Sequence, residues 1–141
     1  MIVLDTNVIS ELMRPRPGAP VIAWLDAQDA ESVWITSITV LEIRYGLELL
    51  DDPARRLRLE QAFDLVLGQD LANRILGFDR EAAERTARVS ALARRLGREI
   101  ELRDAMIAGI AARHGATLAT RNLRHFAHSG IELIDPWHAP A

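Results

Sequence analysis

The chain runs to 141 residues, 49% of them hydrophobic, with no cysteine, no lysine, seventeen arginines and a formal net charge of −3. That is enough chain for one domain over residues 1–141 with its own core, and the missing cysteine excludes a disulfide scaffold, a zinc–cysteine module, an iron–sulfur cluster and a cysteine nucleophile. The missing lysine removes a Walker A phosphate loop, a lysine Schiff base and the aspartate–lysine site of receiver domains, while the negative charge argues against a protein held on nucleic acid by bulk positive charge.

Ile2-Val3-Leu4 reads as a short strand, cut off by Asp5. It is too short for a signal core, and no apolar run reaches the ~20 residues of a membrane span, so the expectation is a soluble, cytoplasmic protein. Val8 to Met13 is helical, and Arg14-Pro15-Arg16-Pro17-Gly18 breaks it. Pro20 to Ala27 is the next helix, with Val21, Trp24 and Leu25 on one side. Val33 to Thr36 is a second strand, and Thr39 to Leu50 a helix ended by Asp51-Asp52. Asp52 then caps a new helix with Pro53 at its first position, running to about Leu67. Arg74 to Phe78 reads as a third strand. Asp79 caps a long helix to Leu96, closed by Gly97. Asp104 to His114 is a nearly all-apolar, central helix stopped by Gly115. Ala116 to Ala119 and Ile131 to Ile134 are the last strands, with a short turn at Asn122 to Phe126 between them. Strands alternating with helices predict an α/β fold with a mainly parallel sheet of four to five strands covered by helices.

In such sheets ligands collect at the carboxyl ends of the strands. Asp5 follows the first strand, Glu42 lies one turn beyond the second, and Asp104 opens the helix leading into the fourth. Each has a local alternative. Asp5 can cap the first helix, Thr39-Val40-Leu41-Glu42 has the form of a capping box, and Asp104 complements a helix dipole. Helical spacing puts Glu42 on a stripe with Tyr45, Gly46 and Leu49, and Asp104 with Ile107, Ala108 and Ala111. Both acids are therefore expected on apolar faces. A buried carboxylate needs a partner, here a bound cation or an arginine. Acids from three distant segments suit a hard divalent ion, Mg²⁺ or Mn²⁺. His114, His125, His128 and His138 lack the spacing of a helical zinc pair.

The chain resembles PIN domains, and among them the VapC-type toxin ribonucleases of the FitB-like branch. Four stretches carry the likeness in order: Leu4 to Glu11, Thr36 to Gly46, Leu102 to Ala108 and Gly115 to Asn122, with Pro136-Trp137 at the end. The resemblance implies a three-layer α/β/α sandwich and a metal-dependent endoribonuclease acting on single-stranded RNA. It implies that Asp5 and Asp104 hold the ion while Glu42 completes its shell or orients the attacking water, with Asn7 and Thr120 behind them. Products would carry a 5′-phosphate and a 3′-hydroxyl. A fourth acid common in the family is Asn122 here, an amide without charge. Arg44, Arg103, Arg121 and Arg124 lie in the edge segments and are candidate phosphate contacts, as is His125 for RNA. A VapB-like antitoxin blocking the acidic site, operator DNA bound only through that complex, and a homodimer are the implied partners, with Trp24, Trp34 and Leu57 to Leu71 as interface or core. Two rivals remain. A non-catalytic binding module with a decayed site would make Asp5→Ala and Asp104→Ala silent. An aspartate-nucleophile phosphotransferase wants a second aspartate where Asn7 stands, and a lysine.

Overall fold

The parallel sheet is built from very short strands. The computed structural model describes residues 1–140. The strands are β1 (Ile2–Leu4), β2 (Val33–Thr36), β3 (Ile75–Leu76), β4 (Thr117–Ala119) and β5 (Leu133–Ile134), in the spatial order β3-β2-β1-β4-β5. Every pairing is parallel, with Ile2 opposite both Val33 and Thr117. The expected third and fifth strands are present but trimmed to two residues each. β1 occupies the middle, so successive side chains go to opposite faces and both faces are buried. Leu4, Val33, Ile35 and Ala119 enter one core, while Val3 and Leu118 enter the other.

Helices cover both faces, giving the three layers. On the first lie α1 (Thr6–Leu12), α2 (Ala19–Asp26), α3 (Ser37–Glu48) and α4 (Pro53–Leu65), which contribute Val8, Ile9, Val21, Ile43 and Phe63 to the core. On the second lie α5 (Arg80–Arg95), α6 (Leu102–Arg113) and the short α7 (Leu123–Phe126). Capping sets the boundaries. Asp52 and Asp79 accept backbone N–H groups at the starts of α4 and α5, as their positions predict. Gly97 and Gly115 follow α5 and α6 at φ +69° and +60°, values that favour glycine. α6 begins two residues ahead of Asp104 because Glu101 caps it. Trp24 and Leu71 are core residues, whereas Leu57 and Leu65 are about half exposed.

The sheet order sets the location of the site. From β1 the chain winds outward through β2 to β3, then returns to the other side of β1 for β4 and β5. Strand connections diverge between β1 and β4, leaving a crevice at their carboxyl ends. Asp5 N–H still bonds Ala119 O at 2.9 Å, and Thr120 N–H bonds Ile134 O at 2.9 Å. Asp5 and Thr120 thus stand side by side on the rim of that crevice.

α6 is held against α5 by a close approach at Gly109. A Cβ there would meet Ala82 O at 2.7 Å and Thr86 N at 2.9 Å. Neither backbone atom can yield without moving α5. Gly109→Ala is therefore expected to cost about 2 kcal/mol despite alanine's better helix propensity, read as a lower urea midpoint at unchanged slope. A midpoint equal to wild type would show that the helices separate freely.

Candidate active site

Asp5 ends β1 and caps α1 with the same carboxylate. Its Oδ1 accepts the Thr6 N–H at 2.8 Å, and its Oδ2 accepts the Thr120 hydroxyl at 2.7 Å and the Asn7 amide at 3.3 Å. The residue is 4% exposed. Burial pushes its pKa above the ordinary carboxylate value, against the hydrogen bonds from Thr120 and Thr6 and the nearby His125. Thr120 has no spare capacity. Its hydroxyl donates to Asp5 and accepts from Asn7 Nδ2 at 3.2 Å and from the Asn122 N–H at 3.0 Å. Asn7 Oδ1 in turn accepts the Arg121 N–H at 3.2 Å. One small network thereby ties the start of α1 to the loop after β4.

Glu42 reaches the site because its helix starts earlier than the sequence pattern implies. Thr36, not Thr39, caps α3 and accepts the Thr39 N–H at 3.1 Å. The Thr39–Glu42 capping box therefore does not form. Glu42 sits in the second turn, and its Oε1 accepts the Thr6 hydroxyl at 2.9 Å. With that hydrogen committed, Thr6 Oγ1 can only accept from Thr39 Oγ1, 3.0 Å away, and Thr39 accepts from Thr36 at 3.5 Å. The hydroxyls form a one-way chain ending on Glu42. The expected apolar burial of the Glu42 stripe is not found, because Tyr45 is 53% and Leu49 64% exposed. Ile43 and Leu47 are the residues of α3 that face the core.

Asp104 meets the same expectation: Ile107, Ala108 and Ala111 on its stripe are fully buried. Glu101 Oε2 accepts the Arg103 and Asp104 N–H groups at 3.0 and 3.3 Å, fixing the start of α6. Burial raises the Asp104 carboxyl to about 6, reinforced by the charges of Asp5, Glu101 and Glu42 and opposed by His125. His125 Nδ1 lies 3.4 Å from Asp104 Oδ2. Asp5, Glu42 and Asp104 thus share one electrostatic neighbourhood, although they come from three separate segments.

No arginine makes an ion pair with these three acids among the described residues. Arg103 pairs with Glu101 at 3.2 Å. Arg44 turns away to Asp64 at 2.8 Å and lies over the Phe63 ring, so it is not an edge residue as the sequence position implies. Arg121 stacks over Trp137 at 4.9 Å. Arg124 lines a cavity of about 280 Å³ that also contains Asp104 and His125. Asn122 is exposed and holds Thr120 through its backbone N–H, not its side-chain amide. Sequence reasoning gave no part to Thr6 or Glu101. Thr6 sits between Asp5 and Asn7, and Glu101 directly precedes an apolar helix. Those placements are the signals that could have found them.

Over residues 2–130 the sequence matches the PIN domain family, to which the chain belongs. Among relatives, the VapC ribonuclease Y4jK of Sinorhizobium fredii is 40% identical over 137 residues, covering 97% of this chain and 98% of its own. Toxin FitB of Neisseria gonorrhoeae is 39% identical over 138 residues, covering 98% of this chain and 99% of its own. A solved structure of FitAB bound to an IR36 DNA fragment superposes with a TM-score of 0.89 at 38% identity, covering 100% of this chain and 99% of that one.

The raised Asp104 pKa has a stability consequence. The folded protein holds this proton more tightly than the unfolded chain, whose aspartate titrates near ~4. The contribution to stability is full below that value and is lost as pH rises through about 6. Asp104→Asn is therefore expected to be more stable than wild type at alkaline pH in chelated buffer, with the difference closing as pH falls below the folded value. Urea titrations across this range check it, and an Asp104→Asn protein less stable at alkaline pH would contradict it.

Proposed function

We propose that this protein is a metal-dependent endoribonuclease for single-stranded RNA and the toxin of a toxin–antitoxin pair. The observation that carries this reading is the gathering of Asp5, Glu42 and Asp104 at the β1/β4 crevice with no arginine ion-paired to any of them among the described residues. The names of the relatives, a VapC ribonuclease and a FitB toxin, support the same reading.

The donors fit Mg²⁺ or Mn²⁺. All are oxygens, and Asp104 is raised first by burial and then by repulsion from Asp5 and Glu42, a tension that a divalent cation relieves. Among the described residues no three histidine, cysteine, aspartate or glutamate side chains are placed to hold a metal ion together. That matches an ion held by one or two carboxylates and several waters better than one in an all-protein cage. Asp5 and Asp104 would hold it, with Glu42 beside them. When bound, such an ion lowers the pKa of a water and neutralises charge developing on phosphate oxygens.

The protein's own residues do the positioning. Thr120, Asn7 and the Thr6 N–H fix the Asp5 rotamer, with Oδ1 accepting one hydrogen bond and so keeping acceptor capacity for an ion. Thr6 leaves Glu42 Oε2 free to accept a proton from an attacking water. His125 is exposed next to Asp104 and can donate to a phosphate oxygen. Arg121 and Arg124 are exposed on the same edge and can hold flanking phosphates, with Arg103 nearer to Glu101. The Asn122 amide adds at most a hydrogen bond to a water, consistent with a single ion.

The likeness to DNA-bound FitAB supports an antitoxin partner that covers the acidic crevice, with operator DNA reached through that complex. The exposed Leu41, Tyr45 and Leu49 on α3 are an apolar surface open to a second copy of the chain.

Asp5→Ala and Asp104→Ala are each expected to lower RNA cleavage at least about 100-fold, the scale of several kcal/mol of lost charge stabilisation. Induced expression followed by sequencing of RNA 5′-phosphate ends reads this directly, and EDTA should abolish cleavage by the purified protein until Mg²⁺ is restored. Variants as toxic as wild type would end the nuclease reading. Thr120→Val keeps the volume but removes the hydroxyl from Asp5, and a loss of about 10- to 100-fold is expected.

A further inference from the structure

We infer that the RNA strand leaves the acidic centre along the α5 side of the molecule, over two neighbouring cavities that share Val89 and Ser129 in their walls. This rests on the nuclease reading and extends it by naming the surface for the flanking nucleotides. The first cavity, about 280 Å³, opens beside Asp104 and His125, has Val89, Ala93 and Ile100 among its walls, and is lined by Arg98 and Arg124. The second, about 460 Å³, takes Arg85, Arg88 and Leu92 from α5. Val89 and Ser129 line both, so the two lie side by side with these side chains between them.

The charge along this path is available for binding. Arg85, Arg88, Arg98 and Arg124 are exposed and have no ion-pair partner among the described residues, unlike Arg14, Arg44, Arg56, Arg80, Arg103 and Arg113. Arg85, Arg88, Val89 and Leu92 share one face of α5 at helical spacing. The path also holds acids, of which Glu101 is paired with an arginine. Glu101 accepts the first N–H groups of α6 and the Arg103 guanidinium, and Glu132 accepts the Thr117 hydroxyl at 3.3 Å. Glu99 is left against two guanidiniums in the first cavity. Cations interleaved with apolar surface are what a single strand requires, the first for phosphates and the second for base faces. Leu92 is 45% exposed and Ile100 half-buried, so both present apolar surface to the path.

The test is the affinity of a fluorescent oligouridylate for the full-length protein in EDTA, across a salt series. Arg98→Ala with Arg124→Ala, and separately Arg85→Ala with Arg88→Ala, should each raise Kd at least about tenfold and lower the log–log salt slope by about 1.4, at ~0.7 per lost phosphate contact. Arg55→Ala with Arg58→Ala on α4 is the control and should change neither. Glutamine replacements should match alanine, which removes altered packing as a cause. Unchanged Kd and slope, with wild type still binding and cleaving RNA, would overturn the path while sparing the nuclease. Weaker antitoxin binding with RNA affinity intact would overturn it in favour of a protein-docking face. Wild type that neither binds nor cleaves RNA would overturn both.

Discussion

A carboxylate taken out of water stays charged only where donors are already aimed at it, and the structure is arranged around one such group. Asp5 is the residue at which β1 ends, α1 begins and the crevice opens. Its Oδ2 accepts a hydroxyl from the loop after β4, so the polar contact crosses the two strands whose connections diverge. Removing the hydroxyl would strand a desolvated charge, which is costlier than the net value of the hydrogen bond suggests. The same network holds Asn7, Asn122 N–H and Arg121 N–H. The loop after β4 is thereby placed by the same carboxylate that the proposed reaction assigns to the metal ion.

Placing Asp104 is a packing problem. α6 is apolar along most of its length, with Ala105, Ile107, Ala108, Ile110 and Ala111 fully buried. Gly109 lets it lie against α5, and Glu101 fixes its first turn. Only the amino-terminal end emerges, and Asp104 sits there beside Asp5. Rigid burial on one side and like charge on the other are together the reason its proton affinity rises.

Much of this was legible in the sequence, for identifiable reasons. Alternating apolar runs gave the α/β class, and Asp52, Asp79, Gly97 and Gly115 carried local capping chemistry that tertiary contacts did not override. The three acids stood out because each follows or opens an element. What failed depended on distant partners. Thr39-x-x-Glu42 satisfies a local rule, but Thr36 one strand-end earlier makes the better cap. The exposure of Tyr45 and Leu49 follows from which side of α3 meets the sheet, a rotation that spacing alone does not fix. Arg44 was drawn away by Asp64 on α4, a contact with a separate helix. The Leu4–Glu11 stretch contained Thr6 in plain view. Its role needed Glu42 to be beside it.

The wiring of the sheet also has a temporal side. Asp5 and the hydroxyl that supports it are 115 positions apart. The central strand β1 emerges from the ribosome well before β4, its neighbour on the other side. A nascent chain carrying Asp5 and Glu42 but not yet β4 lacks the donor that keeps the first carboxylate oriented, and lacks Asp104 until α6 is made. Contacts of such sequence separation also form late in folding, since loop closure comes before any pairing gain. Synthesis is vectorial, so the three acids and the Thr120 hydroxyl come together only once β4 has been made, and a chain that stops before α6 lacks both Asp104 and the donor to Asp5.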